Sequence, residues 1–215
     1  MNIFQQLIQQ AIIDGVSVQT VVLLLLLPLV ASLVAASRHI IGFKGFGILI
    51  PTAIAMALVF TGVGTGLIVF AVILLSATYS RYLLRKLHFH YLPRMALLLW
   101  FVSLATLAMI MISPSLGLMQ LTTISILPII ILVLLAEEFI GVQIGKSLKE
   151  AARLTLETLI IALVGFLIFQ SQFLQEAALT YPHWVALTPV LINLLVGRFT
   201  GLRLLEYWRF KRIIK

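Results

Sequence analysis

Apolar runs about as long as a bilayer is thick divide this chain, and they limit what it can fold into. From Val18 to Ala36 no side chain carries a charge. As an α-helix rising about 1.5 Å per residue, such a run crosses roughly 30 Å of hydrocarbon. Further apolar runs at 46–60, 62–79, 91–112, 118–136, 154–171 and 184–197 bring the number to seven. Hydrocarbon offers no partner to backbone N–H and C=O groups, so each run must pair its amides internally. The expected fold is therefore all-α, a single polytopic membrane bundle of about seven helices. The composition agrees: 62% of residues are hydrophobic and 10% charged, against about 45–50% apolar usage in soluble domains.

Proline and glycine set the expected irregularities. Pro28 and Pro128 sit within the first and fifth runs and are expected to kink them, while Pro51 breaks the short second run, which also holds Gly47. The segment 46–79 is thus either two spans or a broken, re-entrant hairpin. Thr61-Gly62-Val63-Gly64-Thr65-Gly66 looks like a phosphate-binding glycine loop, but no strand precedes it. Close helix packing through Gly62 and Gly66 accounts for it better, and Gly197 and Gly201 share that four-residue spacing. Residues 1–13 place Ile3, Phe4, Leu7, Ile8, Ala11 and Ile12 at helical spacing between glutamines. They read as a surface-lying amphipathic helix or, equally, as a linker from a longer protein. No Lys or Arg precedes the first run, which argues against a cleaved leader.

The formal net charge is +8, and in a membrane chain the placement of such charge reports topology. All 15 Lys and Arg residues follow the first, third, fifth and seventh runs. By the positive-inside rule the N-terminus is outside and the C-terminus cytoplasmic, in a bacterial inner membrane. Arg81, Arg85, Lys86, Arg94, Arg198 and Arg203 then form a basic cytoplasmic face, closed by the tail 198–215. Anchoring to anionic lipid is its ordinary role, and docking of an acidic partner is the functional alternative. No nucleic-acid partner is expected, whereas a second copy of the chain is a candidate partner.

Acid is scarce, with seven Asp and Glu in all, and Glu137-Glu138 is the only adjacent pair. Pro28 precedes Arg38 by ten residues and Pro128 precedes Glu138 by ten, which suggests a parallel internal repeat between the first and fifth runs. The repeat would set Arg38 and His39 at the depth of Glu137 and Glu138, a polar cluster at the cytoplasmic mouth of a central cavity. An ordinary solvated loop with structural ion pairs is the competing account. There is no cysteine, and His39, His88, His90 and His183 lack zinc-ligand spacing, so neither metal nor cofactor is expected. No catalytic residues are assigned. An intramembrane aspartyl protease needs two Asp and only Asp14 exists, and the helical His-Glu-x-x-His zinc motif is missing.

Ser37-Arg38-His39-Ile40-Ile41-Gly42, Phe46-Gly47 with Pro51, Tyr82-Leu83-Leu84-Arg85 through Pro93-Arg94, and Gly197-Arg198-Phe199-Thr200-Gly201 together carry a resemblance. The chain resembles, over most of 18–212, the bacterial seven-helix domain commonly fused behind an inactive transglutaminase-like domain. More distantly it is similar to the small membrane subunit of poly-gamma-glutamate synthesis. The resemblance implies a companion of a cytoplasmic ATP-grasp peptide ligase, with the fused domain outside. Two departures stand out. No transglutaminase-like domain lies within these residues, and no proline matching Pro51 follows Gly141-Val142-Gln143.

The functional expectation is a non-enzymatic subunit that anchors such a ligase and positions or exports its acidic peptide product. A receptor or signalling scaffold and a small-solute transporter are the rivals. Because the sequence has no cysteine, thiol labelling tests the topology directly. Asp14→Cys should react with a membrane-impermeant maleimide on intact cells, and Lys215→Cys only after permeabilisation. The reverse pattern would overturn the charge-based orientation.

Overall fold

The computed structural model describes residues 3–84, 90–117, 121 and 124–198. Helix α1 spans Ile3–Ile13 and α2 Val18–Ala36, which runs on into a π-helical turn, Ser37–Ile41. Then come α3 (Leu49–Thr61), α4 (Val63–Leu84), α5 (Tyr91–Ile112) with a 3₁₀ turn at Ser113–Leu116, α6 (Ile126–Gly145), α7 (Leu148–Gln170), α8 (Gln172–Thr180) and α9 (Pro182–Gly197). No strand occurs among the described residues. Five helical stretches are long and apolar enough to cross a membrane: Val18–Ile41, Val63–Leu84, Leu92–Ser115, Ile126–Gly145 and Leu148–Gln170. The pair α8–α9, bent by 111°, makes a sixth, and α3 is a shorter apolar helix. The fold is an all-α membrane bundle.

The chain divides into two compact units, Met1–Ala55 with Glu157–Lys215, and Met56–Leu156. In the first, α2 packs along α9, α8 lies against both, and α1 touches α9. In the second, α4 packs against α5 and α6. Helices α3 and α7 contribute residues to both units.

Several boundaries differ from those expected. Pro28 does lie within α2, but Pro51 and Pro128 are each the third residue of their helix. In a first turn the N–H that proline lacks has no intrahelical acceptor, so neither residue kinks its helix. The ten-residue spacing therefore does not carry a repeat into the helices, since Pro28 is central in α2 and Pro128 initial in α6. A proline that does interrupt a helix, Pro189 in α9, was not singled out. Gly62 adopts φ +76° in the turn between α3 and α4, where its left-handed freedom is what matters. Gly66 is a close-packing position: a Cβ there would stand 2.6 Å from Leu58 Cδ2 and Thr61 Oγ1. The polar stretch after residue 171 is largely helix α8 rather than loop.

Many polar side chains are paired in the way hydrocarbon demands, while Ser80 Oγ, Gln143 Oε1 and Thr155 Oγ1 are buried without a hydrogen-bond partner. Thr52, Thr61, Thr78, Thr106 and Thr188 each donate their hydroxyl to the carbonyl four residues earlier, at 2.7–3.0 Å. Across helices, Asn193 Nδ2 of α9 donates to Ser32 Oγ of α2 at 2.8 Å; within their own helices Asn193 Nδ2 also donates to the Pro189 carbonyl at 2.9 Å and Ser32 Oγ to the Pro28 carbonyl at 2.7 Å. This clasp joins the two proline-bearing helices beside their prolines. Nearby, Gly165 of α7 admits no side chain, since a Cβ would lie 2.8 Å from Val30 Cγ1 and 2.9 Å from Ala55 Cβ.

The two contacts differ in strength. Interhelical hydrogen bonds in bilayers average about 0.6 kcal/mol, while forcing extra methylenes into a packed core costs about 1–3 kcal/mol. Equilibrium unfolding in mixed micelles should show Gly165→Leu losing more stability than Asn193→Leu. A larger loss for Asn193→Leu would overturn that ranking.

Candidate functional site

The first unit contains an open groove built on α2, its π-turn and α9. The π-turn is defined by the Gly42 N–H donating to the Ser37 carbonyl at 3.1 Å, five residues back. Gly42 then reverses the chain at φ +98°, a conformation glycine adopts without cost. The wide turn carries Arg38 and His39, and the loop beyond it carries Lys44. These residues line a cavity of about 410 Å³ with Ala35, Phe43, Ile48, Val196 and Gly197, and no acid is among the described lining residues. A second cavity, of about 370 Å³, shares Ala35 and Ile48 with the first and extends along α2 and α9 to Ser32, Pro189 and Asn193.

The cationic mouth is held by a buried carboxylate. Glu157 of α7, 8% exposed, accepts the Lys44 N–H on Oε2 at 2.6 Å. The next side chain, Thr158, accepts the Phe46 N–H on Oγ1 at 2.8 Å. A Cβ on Gly45 would stand 2.8 Å from that same Oγ1, so only glycine lets the loop come this close. Loop backbone lacking regular partners thus docks on two successive side chains of a membrane-length helix, as buried irregular backbone requires. Glu157 is the missed residue. Of the seven acids it alone falls inside an expected apolar run, 154–171, and an ionisable group in such a run signals function by default.

The other expected site residues are distributed as follows. Arg38 and His39 belong to the first unit, and Glu137 and Glu138 to the second. The glutamates are not at a helix end, because α6 continues two turns beyond them to Gly145. Both are exposed, and Glu137 borders a small cavity of about 190 Å³ with Met95, Leu98, Leu99 and Val133. Arg81 Nη2 donates to the Gln143 carbonyl at 2.9 Å. That carbonyl is among the last four of α6, which have no intrahelical donor, so a basic group at this helix end serves as a cap. Arg94 lies in the first turn of α5, and Arg198 follows α9. Gly197 lines the groove, and a Cβ on it would meet nothing within 4 Å. Arg85, Lys86, Gly201 and Arg203 lie outside the described residues. No group of three potential metal ligands occurs among the described residues.

Replacing Glu157 separates its acceptor role from its charge. Glu157→Gln keeps an oxygen for the Lys44 N–H, whereas Glu157→Leu leaves that part-buried N–H without this acceptor, at a cost of about 1–3 kcal/mol. Hydrogen exchange at the amides of Lys44 and Phe46 should rise about 10-fold or more in Glu157→Leu, and much less in Glu157→Gln. Equal exchange in the two variants would sink this account of the loop.

No curated protein and no solved structure matches the chain. A family model does, described as seven transmembrane helices usually fused to an inactive transglutaminase, over residues 4–214. Five long apolar helices, the bent pair α8–α9 and the shorter α3 supply seven apolar segments for that description. With nearly the whole chain matched, this protein belongs to the family of seven-transmembrane-helix domains usually fused to an inactive transglutaminase.

Proposed function

We propose that this chain is a non-enzymatic subunit of the bacterial inner membrane, which anchors a cytoplasmic ATP-grasp peptide ligase and positions its acidic peptide product. The observation that carries this reading is the charge sorting, with all 15 Lys and Arg residues on one side of the expected topology. A face of one sign raises the local concentration of acidic partners and of anionic peptide alike. Family membership supports it, because the usual fusion partner is an inactive transglutaminase, which suits a membrane domain whose chemistry is done elsewhere. Glu137 and Glu138, exposed on α6, would serve in binding or gating, and not in bond making.

Purification from native membranes into lipid nanodiscs, with quantitative mass spectrometry of what accompanies the chain, tests the proposal. A near-stoichiometric ATP-grasp ligase, retained by the wild type and weakened by Arg94→Glu, is the expected result. Recovery of the chain alone, with solute uptake after reconstitution into liposomes, would replace the proposal with a transporter. A cytoplasmic contact that depends on an externally added ligand would replace it with a receptor.

A further inference from the structure

We infer that the groove between α2 and α9 is a binding site for one anionic phospholipid, its phosphate held by Arg38 and Lys44 and one acyl chain lying along Ala31, Ala35 and Val190. This site stands independently of the ligase reading. Charge is confined to one end. Arg38, His39 and Lys44 line the cavity at the helix terminus, without an acid among the described lining residues. Glu157, whose Oε2 accepts the Lys44 backbone N–H, is not among them. A phosphate there would meet cations against low-dielectric walls, where charge-assisted hydrogen bonds are strongest.

The remainder of the groove suits a hydrocarbon chain better than a polar solute. Its side-chain donors are already occupied: both Asn193 Nδ2 hydrogens are donated, to Ser32 Oγ and to the Pro189 carbonyl, and the Ser32 hydroxyl is donated to the Pro28 carbonyl. What remains on the walls is Ala31, Ala35, Ile48, Ala186 and Val190. The length also fits. From Pro28 to Arg38 is ten residues, or about 15 Å of helix, which is half of the roughly 30 Å hydrocarbon thickness and so the depth of one leaflet. A free phosphate would use only the mouth, and a water-soluble peptide would leave the apolar length unpaired with anything of its own kind.

Gly197 supplies a test that spares the fold. It lines the mouth, a Cβ there meets nothing within 4 Å, and its backbone is helical, so Gly197→Leu fills the groove without displacing protein. The readout is electron spin resonance of spin-labelled phosphatidylglycerol against spin-labelled phosphatidylcholine, with the full chain reconstituted in phosphatidylcholine bilayers. The wild type should hold a motionally restricted phosphatidylglycerol with severalfold selectivity. Arg38→Gln with Lys44→Gln should bring the selectivity close to one, and Gly197→Leu should remove the restricted component of both lipids. Lys146→Gln with Lys149→Gln, the same charge change at exposed positions, should leave it intact. Equal loss from both charge pairs would show a diffuse basic surface and overturn the site. So would a restricted component untouched by Gly197→Leu, or one displaced by inorganic phosphate.

Discussion

Backbone amides in hydrocarbon have no water to fall back on, and the architecture follows from where each one finds a partner. Helices settle most of this internally. What remains is the backbone that is not helical, and here the protein applies side chains one by one. Glu157 and Thr158 receive two donors from one loop, the N–H groups of Lys44 and Phe46. Arg81 takes up a terminal carbonyl of α6. Without the first of these the turn after α2 has no fixed shape, and the cationic mouth it forms has no floor.

The same constraint explains how a polar groove and an apolar bundle coexist. Pro28 and Pro189 interrupt the hydrogen-bond ladders of α2 and α9, which in a bilayer is tolerable only where neighbours re-satisfy the freed groups. The Ser32–Asn193 clasp lies beside both prolines and joins the two helices there. It does not by itself hold the helices together. The close approach of Gly165 to Val30 and Ala55 contributes more, because packing of small residues outweighs a single interhelical hydrogen bond. The clasp specifies register, and the glycine contact supplies stability.

Much of the site was hidden from one-dimensional reading for identifiable reasons. Proline at mid-run and proline in a first turn look alike until the helix start is known, so Pro128 was assigned a kink that its position at the head of α6 does not produce. The π-turn at Ser37–Ile41 has no sequence signature. It is closed by an i to i+5 bond from Gly42, and many sequences could make that bond. Glu157 was a legible signal passed over, as was Pro189: Glu157 stands inside an apolar run and finds its partner more than a hundred residues earlier in the chain.

Hydropathy was enough for the class of fold, and charge placement for an expectation of orientation, because transfer of apolar and charged groups between water and lipid is a property of each segment on its own. Which polar groups meet is a property of pairs. That Glu157 serves the loop after α2, that Asn193 joins Ser32, and that Arg38 and Lys44 share one groove with Gly197 were decided only by folding. Each of these depends on contacts between segments far apart in the chain, and no periodicity within a segment encodes its neighbour.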